Sequence, residues 1–133
     1  MSIRKIVFLF AATICAALPL QAQAAALTIT NNTNFDSTSI INNGPCSTKL
    51  GPSGTTHAHS TNVVPDSIVK MACQRSPSNC TAVVYLNGSC TAPAVYIVVL
   101  DVNAGIKSAE PIDPASNQYV ISYSGFTATL SPK

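Results

Sequence analysis

The chain has 133 residues, of which 47% are hydrophobic and only 9% charged, a balance that excludes a disordered polyelectrolyte. Its formal net charge of +2 comes from Arg4 and Lys5. Beyond residue 24 five basic residues face five acids, so the body of the chain is neutral and lacks the basic stripe of a nucleic-acid binder.

Arg4 and Lys5 precede the apolar run IVFLFAATICAALPL, and QAQA then offers the small residues Ala22 and Ala24 that a signal peptidase reads. The run of 15 residues falls short of the roughly 20 needed to cross a bilayer. Residues 1–24 therefore read as a signal peptide removed after Ala24, with no membrane span in what remains. The rest, residues 25–133, is long enough for one domain of 109 residues in the periplasm or outside the cell.

In chain order, ALTITNN alternates, with Leu27 and Ile29 on one face of a strand and Thr28 and Thr30 on the other. NNTNFDSTSIINNGPCSTKLGPSG, residues 31–54, is rich in Asn, Ser and Thr and reads as a long loop. Loops on a β scaffold commonly carry recognition, which makes this run the best candidate binding surface. GPSGTTHAHSTNVVP follows, with the only two histidines of the chain. On a strand, His57 and His59 would share a face with Cα atoms about 6–7 Å apart. That spacing lets them share zinc or copper if the fold brings up a third ligand such as Asp66 or Asp101. A single H-x-H is a weak motif, and two solvent-facing polar side chains are the simpler reading.

SIVKMAC reads as a further strand, and TAVVYL and VYIVVLDV as central strands covered on both faces. VLDVNAGIKS reads as a hairpin in which Gly105 takes the positive φ of a tight turn. EPIDP reads as a solvated loop, YVISYS and FTATL as strands, and the closing SPK as a frayed end. No sizeable amphipathic helix shows its period, and turn signals recur at short intervals. The expected fold is all-β, an antiparallel β-sandwich of about seven to nine short strands.

Cys15 belongs to the signal segment, leaving Cys46, Cys73, Cys80 and Cys90. An even count in an exported chain reads as two disulfides, and no C-x-x-C supplies a redox motif or a zinc knuckle. Three pairings are open. Cys46–Cys73 with Cys80–Cys90 is favoured, because CTAVVYLNGSC looks like a strand and turn whose ends meet. Each bridge would stabilise by roughly 3 kcal/mol.

Catalytic parts are scarce. There is no G-x-S-x-G elbow, no glycine-rich phosphate loop and no carboxylate pair with an evident glycosidase setting. Tyr85, Tyr96, Tyr119 and Tyr123 fall in expected strands and read as core or half-buried residues before they read as interface anchors.

The blocks LTITNNTNFDSTSIINNGPCSTKLG, HSTNVVPDSIVKMAC, NCTAVVYLNGSC and VLDVNAGIKS resemble small exported proteins of Legionella-type intracellular bacteria, some of which leave the cell by type II secretion as folded, disulfide-bonded species. The resemblance spans most of residues 27–108, with the four cysteines as its skeleton. It implies an environment- or host-facing role and transfers no site residues. The expected function is binding of a protein or glycan ligand without turnover and without a cofactor. Zinc or copper binding through His57 and His59 is the alternative, and a small secreted hydrolase the third class.

Overall fold

A computed structural model describes residues 25–133, so the expected signal peptide lies outside the described residues. Eight strands form two four-stranded sheets: β1 (Leu27–Asn31), β2 (Thr38–Ile41), β3 (Ser60–Val64), β4 (Cys80–Tyr85), β5 (Ala94–Asp101), β6 (Gly105–Pro111), β7 (Tyr119–Ser124) and β8 (Thr127–Pro132). One sheet runs β3-β1-β8-β7 and the other β2-β4-β5-β6. This is the expected sandwich, with one parallel pair, β1 beside β8, among otherwise antiparallel neighbours.

The alternation read from the sequence sets the inner faces. Leu27 and Ile29 of β1 turn inward beside Ala128 and Leu130 of β8, while Cys80, Ala82 and Val84 of β4 turn inward from the opposite sheet. The expected hairpin joins β5 to β6. Gly105 there has φ 108°, and a Cβ on it would lie 2.6 Å from the Gly125 carbonyl oxygen in the β7–β8 turn. Ile106 donates its N–H to that same oxygen at 2.8 Å, which fastens the two sheets along the β6–β7 edge.

Four expectations are corrected. SIVKMAC is the C-terminal part of a helix, α1 (Asp66–Ala72), closed by Cys73, rather than a strand. Pro65 precedes it, Asp66 opens its first turn, and Lys70 lies in its last, each favourable to the helix dipole or its start. Its apolar residues Ile68, Val69 and Ala72 fall on one helical face against the core. The run 31–54 contains β2 and a 3-10 segment, Ser47–Gly54, and much of its polarity is buried: Asn31, Thr33, Ser37, Thr38 and Ser47 all lie inside. EPIDP is exposed as expected apart from the half-buried Ile112, but its first two residues close β6, and Ser116 donates to Asp113 beyond it. The SPK end is paired, with Lys133 donating its N–H to the Gln118 carbonyl at 2.8 Å.

All four cysteines are oxidised, in the pairs Cys46–Cys90 and Cys73–Cys80 rather than the favoured ones. Strand direction explains the difference. β4 leaves Cys80 as an extended strand to Tyr85, a run of roughly 3.3 Å per residue that carries the chain away from it. Its distal end instead reaches Thr38, whose hydroxyl accepts the Cys90 N–H, next to the bridge that pairs Ile40 with Cys46. Cys73 ends α1 and meets Cys80 at 5.3 Å between Cα atoms across a short turn.

The aliphatic core is divided. Val64, Val69, Cys73, Cys80, Leu100 and Val102 form one cluster, and Val84, Val95 and Tyr96 a second. Between the sheets lies an apolar cavity of about 140 Å³ bounded by members of both.

The bridges close loops of very different length, with separations of 44 and 7 residues, for which chain entropy gives about 4 and 2.5 kcal/mol. Replacing Cys46 and Cys90 by Ser is therefore expected to destabilise the domain more than replacing Cys73 and Cys80, by about 1–2 kcal/mol in urea titrations. Peptide mapping of the unreduced protein is expected to return Cys46–Cys90 and Cys73–Cys80, and a Cys80–Cys90 peptide would refute the pairing.

Candidate functional site

Two loops meet at the end of β1, residues 32–36 and 57–59. Asn31, the last residue of β1, is wholly buried. Its amide nitrogen donates to the carbonyls of Phe35 at 2.7 Å and Thr56 at 3.1 Å. Its amide oxygen accepts from the Thr33 N–H at 3.0 Å and the Thr33 hydroxyl at 2.7 Å. The Asn31–Thr33 contact is an Asx turn, in which a side chain bonds the backbone two residues on. Ser37 and Thr56 then exchange both backbone hydrogen bonds, which clamps the loops side by side.

The histidines sit on the second loop and not on a strand. The backbone turns at Ala58 and His59, where His59 has φ 55°, and β3 starts only at Ser60. Positive φ is uncommon for non-glycine residues, with His among the enriched exceptions. The shared strand face expected for His57 and His59 is thus absent, and each ring finds its own partner. His57 Nδ1 lies 3.2 Å from Asp36 Oδ2, and His59 Nε2 lies 2.7 Å from Asn34 Oδ1.

Asp36 Oδ1 also accepts the Ala58 N–H at 3.0 Å. That backbone bond first, and the His57 imidazole second, hold the Asp36 carboxyl below the ordinary aspartate range. Neither Asp66, at the start of α1, nor Asp101, which accepts the Asn103 N–H, joins the histidines. Among the described residues no group of three or more His, Cys, Asp or Glu side chains is placed to hold a metal. The His57–Asp36 pair supplies two members of an acyl-transfer triad, and among the described residues no hydroxyl bonds the other ring nitrogen.

What the loops present outward is an aromatic ring among polar groups. Phe35 is 52% exposed, and the His57 side chain is 72% exposed. Asn32, Asn34 and His59 are exposed on the same two loops. Sequence reasoning singled out the histidines and the general run 31–54 but missed Phe35, Asp36 and the bracing Asn31. The N-x-T spacing of Asn31 and Thr33 was the available sign, since that pair is what an Asx turn requires. The tyrosines are elsewhere: Tyr96 is buried and donates to the Tyr119 carbonyl, Tyr85 and Tyr119 are half-buried, and Tyr123 is exposed, donating to the Lys107 carbonyl.

A family model described as the type II secretion substrate NttC matches residues 1–132. The chain belongs to the NttC family. As a member of this family of type II secretion substrates it is a secreted protein, which accords with its two disulfides. The crystal structure of the Legionella pneumophila type II secretion system substrate NttC matches with a TM-score of 0.63 at 23% identity, covering 84% of this chain and 100% of that one. At that identity the likeness concerns the fold. No curated protein matches the chain. Among the described residues of this NttC-family chain, no helix is long and apolar enough to cross a membrane.

Replacing Asn31 by Ala leaves the buried Thr33 N–H without its acceptor and removes one of the two hydrogen bonds that each of the Phe35 and Thr56 carbonyls accepts, with an expected loss of about 2–4 kcal/mol in urea unfolding. Asp36 gives a pH signature of opposite character to a buried histidine. Its folded pKa is lowered, so its contribution is complete above the unfolded aspartate pKa and is lost as pH falls through the folded one. The protection of the Ala58 amide, its exchange rate relative to an unstructured amide at the same pH, is expected to fall over that acid window in the native chain, and an Asp36→Asn variant to show no such step.

Proposed function

We propose that this chain is a secreted binding module that recognises a protein or glycan ligand outside the cell through the 32–36 and 57–59 loops, without turnover and without a cofactor. Residues 1–24 would serve as the signal peptide, removed after Ala24 before the disulfides form. The observation that supports this reading best is Phe35, half exposed on a loop whose backbone is fixed from below by the buried Asn31 side chain. Single exposed apolar side chains are ordinary on a protein surface, but aromatic ones are enriched at interfaces, and this one stands on a braced loop. A braced loop loses little conformational entropy on binding. Asn32, Asn34, His57 and His59 are exposed on the same two loops and carry amide and imidazole groups that can donate and accept.

The polar surroundings suit a glycan, whose hydroxyls need paired donors and acceptors while its C–H faces pack on an aromatic ring. They equally suit a polar protein loop. Immobilised glycans and purified surface proteins of cells that meet the secreted protein are the ligands to screen, using the disulfide-bonded domain. Phe35→Ala is expected to weaken any specific binding about tenfold or more with the fold intact, and His57→Ala with His59→Ala to weaken it less. Unchanged binding by Phe35→Ala would move the interface off these loops. Turnover of an ester or glycoside by the native chain, lost in His57→Ala, would replace the binding reading with the hydrolase one.

A further inference from the structure

The space between the sheets has the attributes of a ligand site, and it is separate from the loop face. We propose that it binds one small apolar molecule, an aliphatic chain or ring of about benzene to hexyl size, with a single polar end. The volume is about 140 Å³, close to that of an engineered apolar cavity of about 150 Å³ that stays dry and takes up benzene or xenon. Its walls are aliphatic and come from both sheets and α1, including Ile29, Ile41, Val84, Val98, Ile121 and Leu130.

Three features set this space apart from ordinary loose packing. First, it separates the two apolar clusters, so residues that would form one core in a sandwich of this size face the void. Second, inward residues at central positions, Ile29, Ala82 and Val98, keep exposed surface, while the side chains most completely buried are Asn31, Thr33, Thr38 and Ser116. Polar groups close the structure and the aliphatic ones are left uncovered. Third, small residues stand where β-branched ones would fill the gap: Ala82 opposite Val98 in one sheet, and Ala128 opposite Ile29 in the other.

The walls are also held from collapsing. The Cys73–Cys80 disulfide forms part of one wall and ties α1 to β4, and the Gly105–Gly125 contact fixes the sheets at their other edge. At one end the lining turns polar, with Ser37, Ser39, Ser53 and Thr56. An alcohol or acid group of the ligand belongs at that end, and its hydrocarbon part among the aliphatic residues. Water has few partners in the apolar part, so a hydrocarbon there displaces little that is well bound.

The test uses 1-hexanol with the disulfide-bonded domain. Methyl resonances of Ile29, Val84 and Val98 are expected to shift saturably, and the melting temperature to rise by about 5 °C at tenfold the Kd. Ala82→Leu and, separately, Ala128→Val place side-chain volume in the cavity. Each folded variant is expected to melt at or above the native temperature and to lose the hexanol response; having both guards against one failing to fold. Absence of methyl shifts in the native domain would overturn the proposal. So would an undiminished response in the folded variants, since hexanol would then act elsewhere. A Phe35→Ala variant is expected to keep the full hexanol response, which separates this site from the loop face.

Discussion

The Asn31 side chain is the constraint on which the upper end of the sandwich depends. It stands where β1 ends, paired with Ser60 of β3 on one side and Leu130 of β8 on the other. A residue there with no exposed surface must satisfy both ends of its amide internally, because an unpaired buried amide would cost several kcal/mol. It does so by fixing the Asx turn to Thr33 and by reaching the Phe35 and Thr56 carbonyls. The Ser37–Thr56 pairing, the approach of Asp36 to Ala58 and the presentation of Phe35 all follow from those bonds. Among the described residues no buried side-chain polar atom lacks a partner.

The same economy runs through the molecule. With charges rare, uncharged amides and hydroxyls take the places that ion pairs often fill. Asn42 accepts the Thr81 N–H across β2 and β4, Asn87 organises the β4–β5 loop, and Ser47 receives the Ser39 N–H. Lys107 spends its ammonium on Asn79 and the Ser78 carbonyl rather than on a carboxylate. Such a network is little affected by salt, since few of its members carry charge. That is a useful property in a protein that works outside the cell.

These polar positions also mark where sequence reading succeeds and where it stops. Strands with clear alternation or long β-branched runs, such as those at Leu27, Val95 and Thr127, were legible because period two is a local property. β2 was not, because TSII is four residues set in a polar run whose burial depends on partners far along the chain. The helix after Pro65 is too short to display a period, and its apolar run mimics a strand. The cysteine pairing failed for a related reason: nearness in sequence across CTAVVYLNGSC ignores that an extended strand separates its own ends. At the site the histidines were visible by type, but Asp36 lies 21 positions from His57 and only the fold brings them together.

The void between the sheets is understandable only beside the bridges. A domain of this size has little stability to spare, and an unfilled space of about 140 Å³ would ordinarily invite the sheets to close on it. Closure is opposed at several points at once. One disulfide is built into the cavity wall, the other pins the β4–β5 loop to the strand-following segment at Cys46, and backbone bonds lock the β6–β7 edge. The buried polar clamps hold the ends, since sliding either sheet would break several hydrogen bonds together. A frame fixed by covalent and directional contacts does not need a densely filled centre to keep its shape. That frees the inward positions at Ala82 and Ala128 from the demand for volume that a core held together by hydrophobic packing alone would impose.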